Sequence, residues 1–297
     1  MKFAKRILLY LGLNLLIVTT ISVLLAVFHV QPYLTQYGLD LPSLAVFCLI
    51  YGMTGSLMSL AMSRAIAKWF YGVKLIDLSR CTPRERWLVE TVNNYSRRCG
   101  LPKLPEVGIY QSDEANAFAT GPSKSRALVA VSSGLFNLMN DSEIEGVVGH
   151  EISHIVNDDM VTMTLVQGVV NAFVMFASRA IAYALTRGSK DSRGTYYILS
   201  MVIQTVLLIL AAIPIAYYSR QRECRADDGG AQLAGREKMT QALEALQRTF
   251  DRIDPKAQPA AQTMKISSAP KGIWALWATH PPLEERIARL REQRYRQ

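Results

Sequence analysis

Four long apolar stretches constrain the fold of this chain more than any other feature of its sequence. A helix needs about 20 apolar residues to cross the hydrocarbon core of a bilayer, and each stretch is of that length. The last one carries a pair of tyrosines at each end, which is typical of the membrane interface. The sequence therefore predicts a mainly α-helical membrane protein with four spans. The stretches run from Ile7 to His29, from Leu41 to Ser63, from Val161 to Leu185 and from Tyr196 to Tyr218.

The composition agrees with a chain that is partly buried in a membrane. Hydrophobic residues make up 50% of its 297 residues and charged residues only 19%, whereas an average soluble domain has roughly 25% charged residues. The formal net charge of +9 indicates an anionic lipid surface as the partner, and we expect no binding of nucleic acid. The four cysteines show no CxxC pair and no regular spacing, so neither a disulfide framework nor a zinc finger is expected.

The distribution of basic residues predicts the orientation of the first two spans. Lys2, Lys5 and Arg6 precede the first stretch, whereas residues 30–40 contain no Lys or Arg. The core of a signal peptide has about 7–15 residues, so the longer first stretch is interpreted as an uncleaved anchor. By the positive-inside rule, the N-terminus and the segment after the second stretch are cytoplasmic. The basic residues of that segment are Arg64, Lys68, Lys74, Arg80, Arg84 and Arg86.

The second pair of apolar stretches is less regular. Its connection contains Arg187, Lys190 and Arg193, which goes against the positive-inside rule. Either this hairpin crosses the bilayer fully or protein partly shields it, and the sequence leaves both interpretations open. The third stretch also contains the polar side chains of Gln167, Asn171 and Arg179.

The remaining segments predict a polar domain that is mainly helical. Residues 82–98 read as an amphipathic helix, and Val107 to Tyr110 and Ala127 to Val131 read as short buried strands. Asp254 to Lys271 is rich in Pro, Ala, Gln and Ser and is predicted to be a loop, whereas Leu283 to Arg294 is predicted to be a basic amphipathic helix.

One segment of the polar domain carries a catalytic motif, His150-Glu-Ile-Ser-His154. Ser142 and Glu145 match a capping box, so a helix is predicted to begin there. Residues four apart share one face of a helix, so both imidazoles can reach one zinc ion. Glu151 lies beside them and suits a general base that takes a proton from water. The alternative is a polar helix face on which the two histidines only make local hydrogen bonds.

A third metal ligand is predicted just after the fourth apolar stretch. Glu223 and Asp227 are four apart and therefore share a helical face. Glu223 is the candidate ligand, and Asp227 is expected to accept a hydrogen bond from a ligand histidine, with His150 favoured. Cys224 points about 100° away on a helix and is interpreted as structural. The alternative is a ladder of ion pairs with nearby arginines, namely Arg220, Arg222 and Arg225.

Four blocks of sequence carry a resemblance to a known family. They are Asn116-Ala-Phe-Ala-Thr-Gly121, His150-Glu-Ile-Ser-His154, Ser219-Arg-Gln-Arg-Glu223 with Asp227, and Thr279-His-Pro-Pro-Leu283 with Arg286. Through them the chain resembles the bacterial membrane-bound zinc metallopeptidases of the HtpX family over nearly its whole length. It is more distantly similar to the CAAX prenyl proteases. The resemblance implies a cytosolic, zincin-like metallopeptidase domain with a small β-sheet, and one zinc ion per chain.

The resemblance also implies roles for residues outside the two helical motifs. An edge strand beside the cleft would pair with the backbone of an extended substrate. His280 would donate a hydrogen bond to the oxyanion that forms during hydrolysis. Arg286 would assist substrate binding or pair with Asp227. The substrate-binding candidates are Asn116, Ala117, Phe118 and Arg286.

The predicted organisation alternates membrane and cytosolic segments. Residues 1–64 form the first transmembrane hairpin, 65–160 the first part of the protease domain, 161–218 the second hairpin and 219–297 the second part. His154 precedes the third stretch by seven residues, and Glu223 follows the fourth by five. Because two crossings return the chain to the side that it left, this topology allows both residues to hold one metal ion.

These observations predict a zinc metalloendopeptidase of the bacterial inner membrane. Its active site and both termini are expected to face the cytoplasm, and its substrates are expected to be misfolded or damaged membrane proteins. Two alternatives stay open, a processing protease for a modified C-terminus and a non-catalytic, zinc-binding membrane adaptor. The metal-binding side chains also suit manganese or iron, and the sequence predicts no oligomeric state.

Overall fold

The computed structural model describes residues 2–30, 32–35, 38–186, 192–252 and 272–292. The predicted loop 254–271, the basic tip of the second hairpin at 187–191 and the end of the basic C-terminal helix beyond Glu292 lie outside the described residues.

The chain divides into two compact units. We call Met1–Leu60 with Thr162–Ile215 the helical unit, and Ala61–Val161 with Ala216–Gln297 the α/β unit. The elements that contribute to the helical unit are α1 (Lys2–Val27), β1 (Leu34–Thr35), β2 (Gly38–Leu39), α2 (Leu41–Trp69), α6 (Asp159–Thr186) and α7 (Ser192–Ala234).

Three of these helices are long and apolar enough to cross a membrane. They are Leu41–Trp69, Asp159–Thr186 and Gly194–Ala234, and they correspond to the second, third and fourth apolar stretches. Large apolar side chains such as Val202 and Val206 are more than half exposed along α7, as expected for a surface that faces lipid. The mainly helical membrane fold is therefore confirmed for three stretches. The first span stays a prediction, because only Leu15–Val27 of its apolar stretch lies in the part of α1 whose side chains the structure describes.

Two glycines let helices α2 and α6 touch through their backbones. A Cβ atom on Gly52 would lie 2.6 Å from the backbone nitrogen of Ala172 and 2.8 Å from the carbonyl oxygen of Gly168. A Cβ atom on Gly168 would lie 2.6 Å from the sulfur of Met53. Small residues that allow such a close approach are typical of helix contacts in membranes.

The α/β unit is built on a four-stranded sheet. Its strand order is β3-β4-β6-β5, with β4 and β6 parallel and the two outer pairs antiparallel. The predicted strands 107–110 and 127–131 correspond to β4 and β6. The strands are β3 (Lys74–Leu75), β4 (Glu106–Tyr110), β5 (Ala117–Thr120) and β6 (Leu128–Ser132). The helices are α3 (Pro83–Arg98), α4 (Ser133–Leu138), α5 (Asp141–Val156), α8 (Arg236–Arg252) and α9 (Leu283–Glu292), with 3₁₀ turns at Lys124–Arg126 and Gly272–Trp277.

Alternate residues of the central strand β6 serve two apolar cores. Val129 and Val131 pack in the main core with side chains of α3 and α5. Leu128 and Ala130 pack in a smaller core on the opposite face with Tyr110. Because both faces of β6 are covered, all five of its residues are buried. Helix α5 packs against the sheet through the main core.

Helix α5 begins two residues earlier than the sequence predicted. The capping residue is Asn140, whose side-chain oxygen accepts a hydrogen bond from the backbone N–H of Glu143, while the Glu143 carboxylate accepts one from the Asn140 N–H. The predicted capping pair, Ser142 and Glu145, was wrong. Both residues lie inside the helix, and Glu145 instead accepts a hydrogen bond from the hydroxyl of Tyr95.

The contact between α2 and α6 predicts a difference between two glycines of one helix. Gly52→Val forces a side chain against backbone atoms of α6, and overpacking of this kind costs about 1–3 kcal/mol. Gly55→Val is the matched control, because a Cβ atom at Gly55 meets nothing within 4 Å. We expect Gly52→Val to lower the thermal unfolding midpoint in detergent and Gly55→Val to change it little. Equal midpoints for the two variants would count against this packing.

Candidate metal centre

Helix α5 presents two histidines toward one point. His150 and His154 are one turn apart, their rings are perpendicular with centroids 4.6 Å apart, and their Nε2 atoms are 3.1 Å apart. His150 is buried and His154 is nearly so. Two imidazole nitrogens that face each other at this distance favour a shared partner between them.

Helix α7 adds a carboxylate at the same point. Glu223 is only 2% exposed, and its oxygens each lie 3.5 Å from one Nε2 atom, Oε2 from His150 and Oε1 from His154. The three donor atoms lie within 4.8 Å of one another. Two imidazoles and one carboxylate are a donor set of catalytic zinc sites, which leave one position open. The residues present therefore fit a divalent metal ion.

Two further carboxylates contact the Nδ1 atoms of the two histidines. Asp227 Oδ1 lies 3.0 Å from Nδ1 of His150, and Asp159 Oδ2 lies 2.6 Å from Nδ1 of His154. Each carboxylate favours a proton on Nδ1, which leaves the lone pair of Nε2 for a metal. Asp227 thus contacts the histidine that the sequence analysis favoured.

From the sequence, Asp159 was expected at most to support the end of helix α5, with no part in the metal centre. Its position depends on Asp158, which has a φ of 54° and turns the backbone between α5 and α6. As a result the Asp159 side chain points back to His154 and is 2% exposed. The sequence does place a carboxylate five residues after the candidate ligand His154. This spacing alone does not predict a contact, because the contact depends on the turn at Asp158.

Arg286 of helix α9 binds Asp227 rather than the solvent. Its Nε and Nη2 atoms donate to the two carboxylate oxygens at 2.8 and 2.5 Å. Arg286 is 7% exposed and Asp227 is fully buried. This contact favours the pairing role over the substrate-binding role that the sequence analysis also considered.

Glu151 and His280 border the site without being part of the donor cluster. Glu151 is nearly buried and makes no hydrogen bond or ion pair with any residue in the described ranges. His280 is half exposed, and its Nδ1 atom lies 3.0 Å from Oε2 of Glu223. His280 therefore lies beside the point where the donors converge, and Glu151 directly follows the ligand His150 in helix α5.

The arginines near Glu223 form only part of the predicted ladder. Arg222 donates to Oε1 of Glu223 at 3.0 Å. Arg220 instead donates to backbone carbonyls, among them that of Ala278 at 2.6 Å, and Arg225 lies over the ring of Tyr218. Cys224 is not among the clustered donors, and burial raises the pKa of its thiol.

The predicted edge strand forms one side of the sheet. Strand β5 pairs with β6 on one side only, from Ala117 opposite Val131 to Thr120 opposite Leu128. Asn116 precedes it and is fixed by Ser132, whose hydroxyl accepts a hydrogen bond from the Asn116 N–H at 3.0 Å. The ring of Phe118 packs against Tyr110 with centroids 5.6 Å apart.

Comparison with known proteins agrees with this site. The pattern of peptidase family M48 matches residues 82–294. The chain belongs to peptidase family M48. It is 46% identical over 296 residues to the protease HtpX homolog of Methylacidiphilum infernorum, covering 96% of this chain and 98% of that protein. It is 47% identical over 296 residues to the protease HtpX homolog of Bacillus subtilis, covering 97% and 99%.

A solved structure shows the same fold. The crystal structure of S. mikatae Ste24p matches with a TM-score of 0.66 and 17% sequence identity over 97% of this chain and 64% of that chain. The family match and the relatives named HtpX confirm the predicted resemblance to the HtpX family and the prediction of a metalloprotease. This M48 peptidase is a membrane protein with a cluster of donors that suits a metal ion.

The electrostatics of the M48 site favour a cation. Burial alone would raise the pKa of Asp227, but Arg286 and His150 lower it to about 2. Burial also opposes ionisation of Glu223, yet hydrogen bonds from His150 and His280 hold its pKa far below the usual range. Burial lowers the pKa of His150, whereas its contacts with Asp227 and Glu223 raise it to about 9. Two ionised carboxylates thus lie beside the imidazoles.

The contact between Asp159 and His154 predicts an effect on metal affinity. Asp159→Asn removes the charge that orients the imidazole, and loss of such a partner weakens metal binding by about 10–100-fold. Asp158→Asn is the matched control, because Asp158 pairs with Lys124 at 2.8 Å and asparagine tolerates a positive φ. Zinc competition with a chelator measures both variants. If the two bind zinc equally well, Asp159 does not orient the ligand.

Proposed function

We propose that this chain is a zinc-dependent endopeptidase of the bacterial inner membrane that hydrolyses misfolded or damaged membrane proteins on the cytoplasmic side. The observation that carries the proposal is the convergence of His150, His154 and Glu223, whose donor atoms lie within 4.8 Å of one another. The similarity to bacterial proteases named HtpX supports the hydrolysis of proteins.

The residues that surround the donors have separate roles in hydrolysis. When bound, zinc would supply Lewis-acid activation of water and of the scissile carbonyl. Glu151 takes a proton from the attacking water and passes it to the leaving amine. His280 donates a hydrogen bond to the oxyanion. Asp227, Arg286 and Asp159 keep the ligand rings in place.

The open edge of β5 supports a substrate-binding role for Asn116, Ala117 and Phe118. An extended peptide can add to such an edge through backbone hydrogen bonds, with little dependence on its sequence. This mode suits a protease that must cleave many unrelated damaged chains. The same residues are available to any extended segment that enters the cleft.

The distribution of charge supports the proposed topology. The basic residues that flank the first two spans favour a cytoplasmic N-terminus, and two hairpins, 1–64 and 161–218, then return both halves of the protease domain to the cytoplasm. In this proposal segments 65–160 and 219–297 together form one cytosolic domain. Membership of a peptidase family counts against the non-catalytic adaptor.

A substitution at Glu151 separates metal binding from catalysis. Glu151→Gln keeps the size of the side chain but removes the base, and general acid–base catalysis contributes about 10²–10⁴-fold. We expect casein hydrolysis in detergent to fall by that factor while the bound zinc, measured by atomic absorption, stays at the wild-type level.

Two results would contradict the proposal. Full casein hydrolysis by Glu151→Gln would remove Glu151 from the mechanism. If wild-type protein cleaves a lipidated C-terminal peptide but does not hydrolyse casein, the result would favour the specific processing protease.

A further inference from the structure

The helical unit contains an open cavity of about 640 Å³, whose lining is mainly apolar but includes several polar side chains. Its walls come from α2, α6 and α7. We call it the amide groove and define it by Gly55, Ser56, Gln167, Asn171 and Gln204, which all line it. None of these residues takes part in the metal centre.

The depth of the amide groove makes its polarity unusual. Gly55 is the central residue of α2, a helix long enough to cross the membrane. Near the middle of a bilayer, neither water nor lipid chains offer hydrogen bonds to side-chain amides. Polar residues at this depth are expensive and commonly mark a functional site.

The side-chain amides of the groove make only some of the hydrogen bonds that they could make. Gln167 Nε2 donates to Asn171 Oδ1 at 2.9 Å, and Gln204 Oε1 accepts from Arg179 Nη1 at 3.2 Å. Within the described residues, no hydrogen bond is made by Gln167 Oε1, Asn171 Nδ2 or Gln204 Nε2. The groove thus offers both donors and an acceptor to an incoming group.

The surface of the groove beside Gly55 leaves room for another helix. At Gly52 the backbones of α2 and α6 touch, but a Cβ atom at Gly55 would meet nothing within 4 Å. Small residues beside Asn and Gln side chains are the composition of helix–helix contacts in membranes. In the described chain no helix fills this surface, so a helix from another protein is the occupant that matches it.

A cation bound to one lining residue, Gln204, agrees with such an occupant. Arg179 donates to Gln204 and to the carbonyl oxygen of Met175, and it lies over the ring of Phe47. No carboxylate pairs with Arg179 within the part of the chain that the structure describes. A lipid chain offers hydrogen bonds neither to this cation nor to the amides.

We infer that the amide groove binds one transmembrane helix of a membrane-protein substrate and selects helices with a polar side chain near their centre. The inference rests on the proposed function and adds the feature by which damaged or unassembled membrane proteins are recognised. A helix with a central Asn, Gln, Asp or Glu gains hydrogen bonds in the groove, whereas a helix of leucines gains none.

The test uses full-length protein in liposomes and two single-span substrates. Both substrates carry the same cleavable cytoplasmic tail, and they differ only in a central Leu or Asn. Interhelical hydrogen bonds of the expected strength give a KM about 5- to 30-fold lower for the Asn substrate, with equal kcat. Gly55→Leu fills the groove and Asn171→Leu removes a donor, so each is expected to abolish the preference. Gly12→Leu in α1, where a Cβ atom also meets nothing within 4 Å, is the matched control and keeps it.

A binding measurement separates this inference from the proposed function. Förster transfer between each labelled helix and the Glu151→Gln variant reports binding without turnover, and we expect the same preference for Asn. Equal binding of the two helices overturns the inference, and so does a preference that survives in both Gly55→Leu and Asn171→Leu. If wild-type protein hydrolyses casein, the proposed function stands after that result. If wild-type protein hydrolyses no substrate but still binds the Asn helix more tightly, the inference about the groove holds and the proposed function fails.

Discussion

Two imidazoles and one carboxylate face a common point in this protein, and buried acidic side chains hold them there. A carboxylate without a partner is expensive to bury, so each one is compensated. Asp227 is paired with Arg286, Asp159 contacts His154, and Glu223 contacts His280. Because Arg286 lies on the last described helix, the C-terminal segment is part of the metal centre.

Close packing between helices makes these contacts possible. A Cβ atom on Gly230 would lie 3.0 Å from the backbone nitrogen of His150, and one on Gly229 would collide with the side chain of Ser153. Gly146 is pressed in the same way against the backbone of α8. With a larger residue at Gly229 or Gly230, α5 and α7 would separate, and the Glu223 and Asp227 side chains would move away from the histidines.

The sequence predicted those parts of the site that depend on the regular spacing of a helix. The pair His150 and His154 and the pair Glu223 and Asp227 each follow from residues four apart on one face. Asp159 was missed because its direction depends on a left-handed residue, Asp158. The cap of α5 was misplaced because Ser142 and Asn140 both start plausible capping boxes, and only the folded chain decides between them. Arg286 was expected either to assist substrate binding or to pair with Asp227, and because Asp227 is 59 residues away, no local pattern could decide between the two roles.

X-ray absorption at the zinc edge tests the central claim most directly, with purified full-length protein loaded with one zinc ion. The account predicts nitrogen and oxygen ligands at roughly 2.0–2.2 Å and no sulfur at roughly 2.3 Å. It also predicts that Glu223→Ala loses this spectrum, whereas Cys224→Ser retains it. A sulfur ligand, or a spectrum unchanged in Glu223→Ala, would contradict a metal ion held jointly by His150, His154 and Glu223.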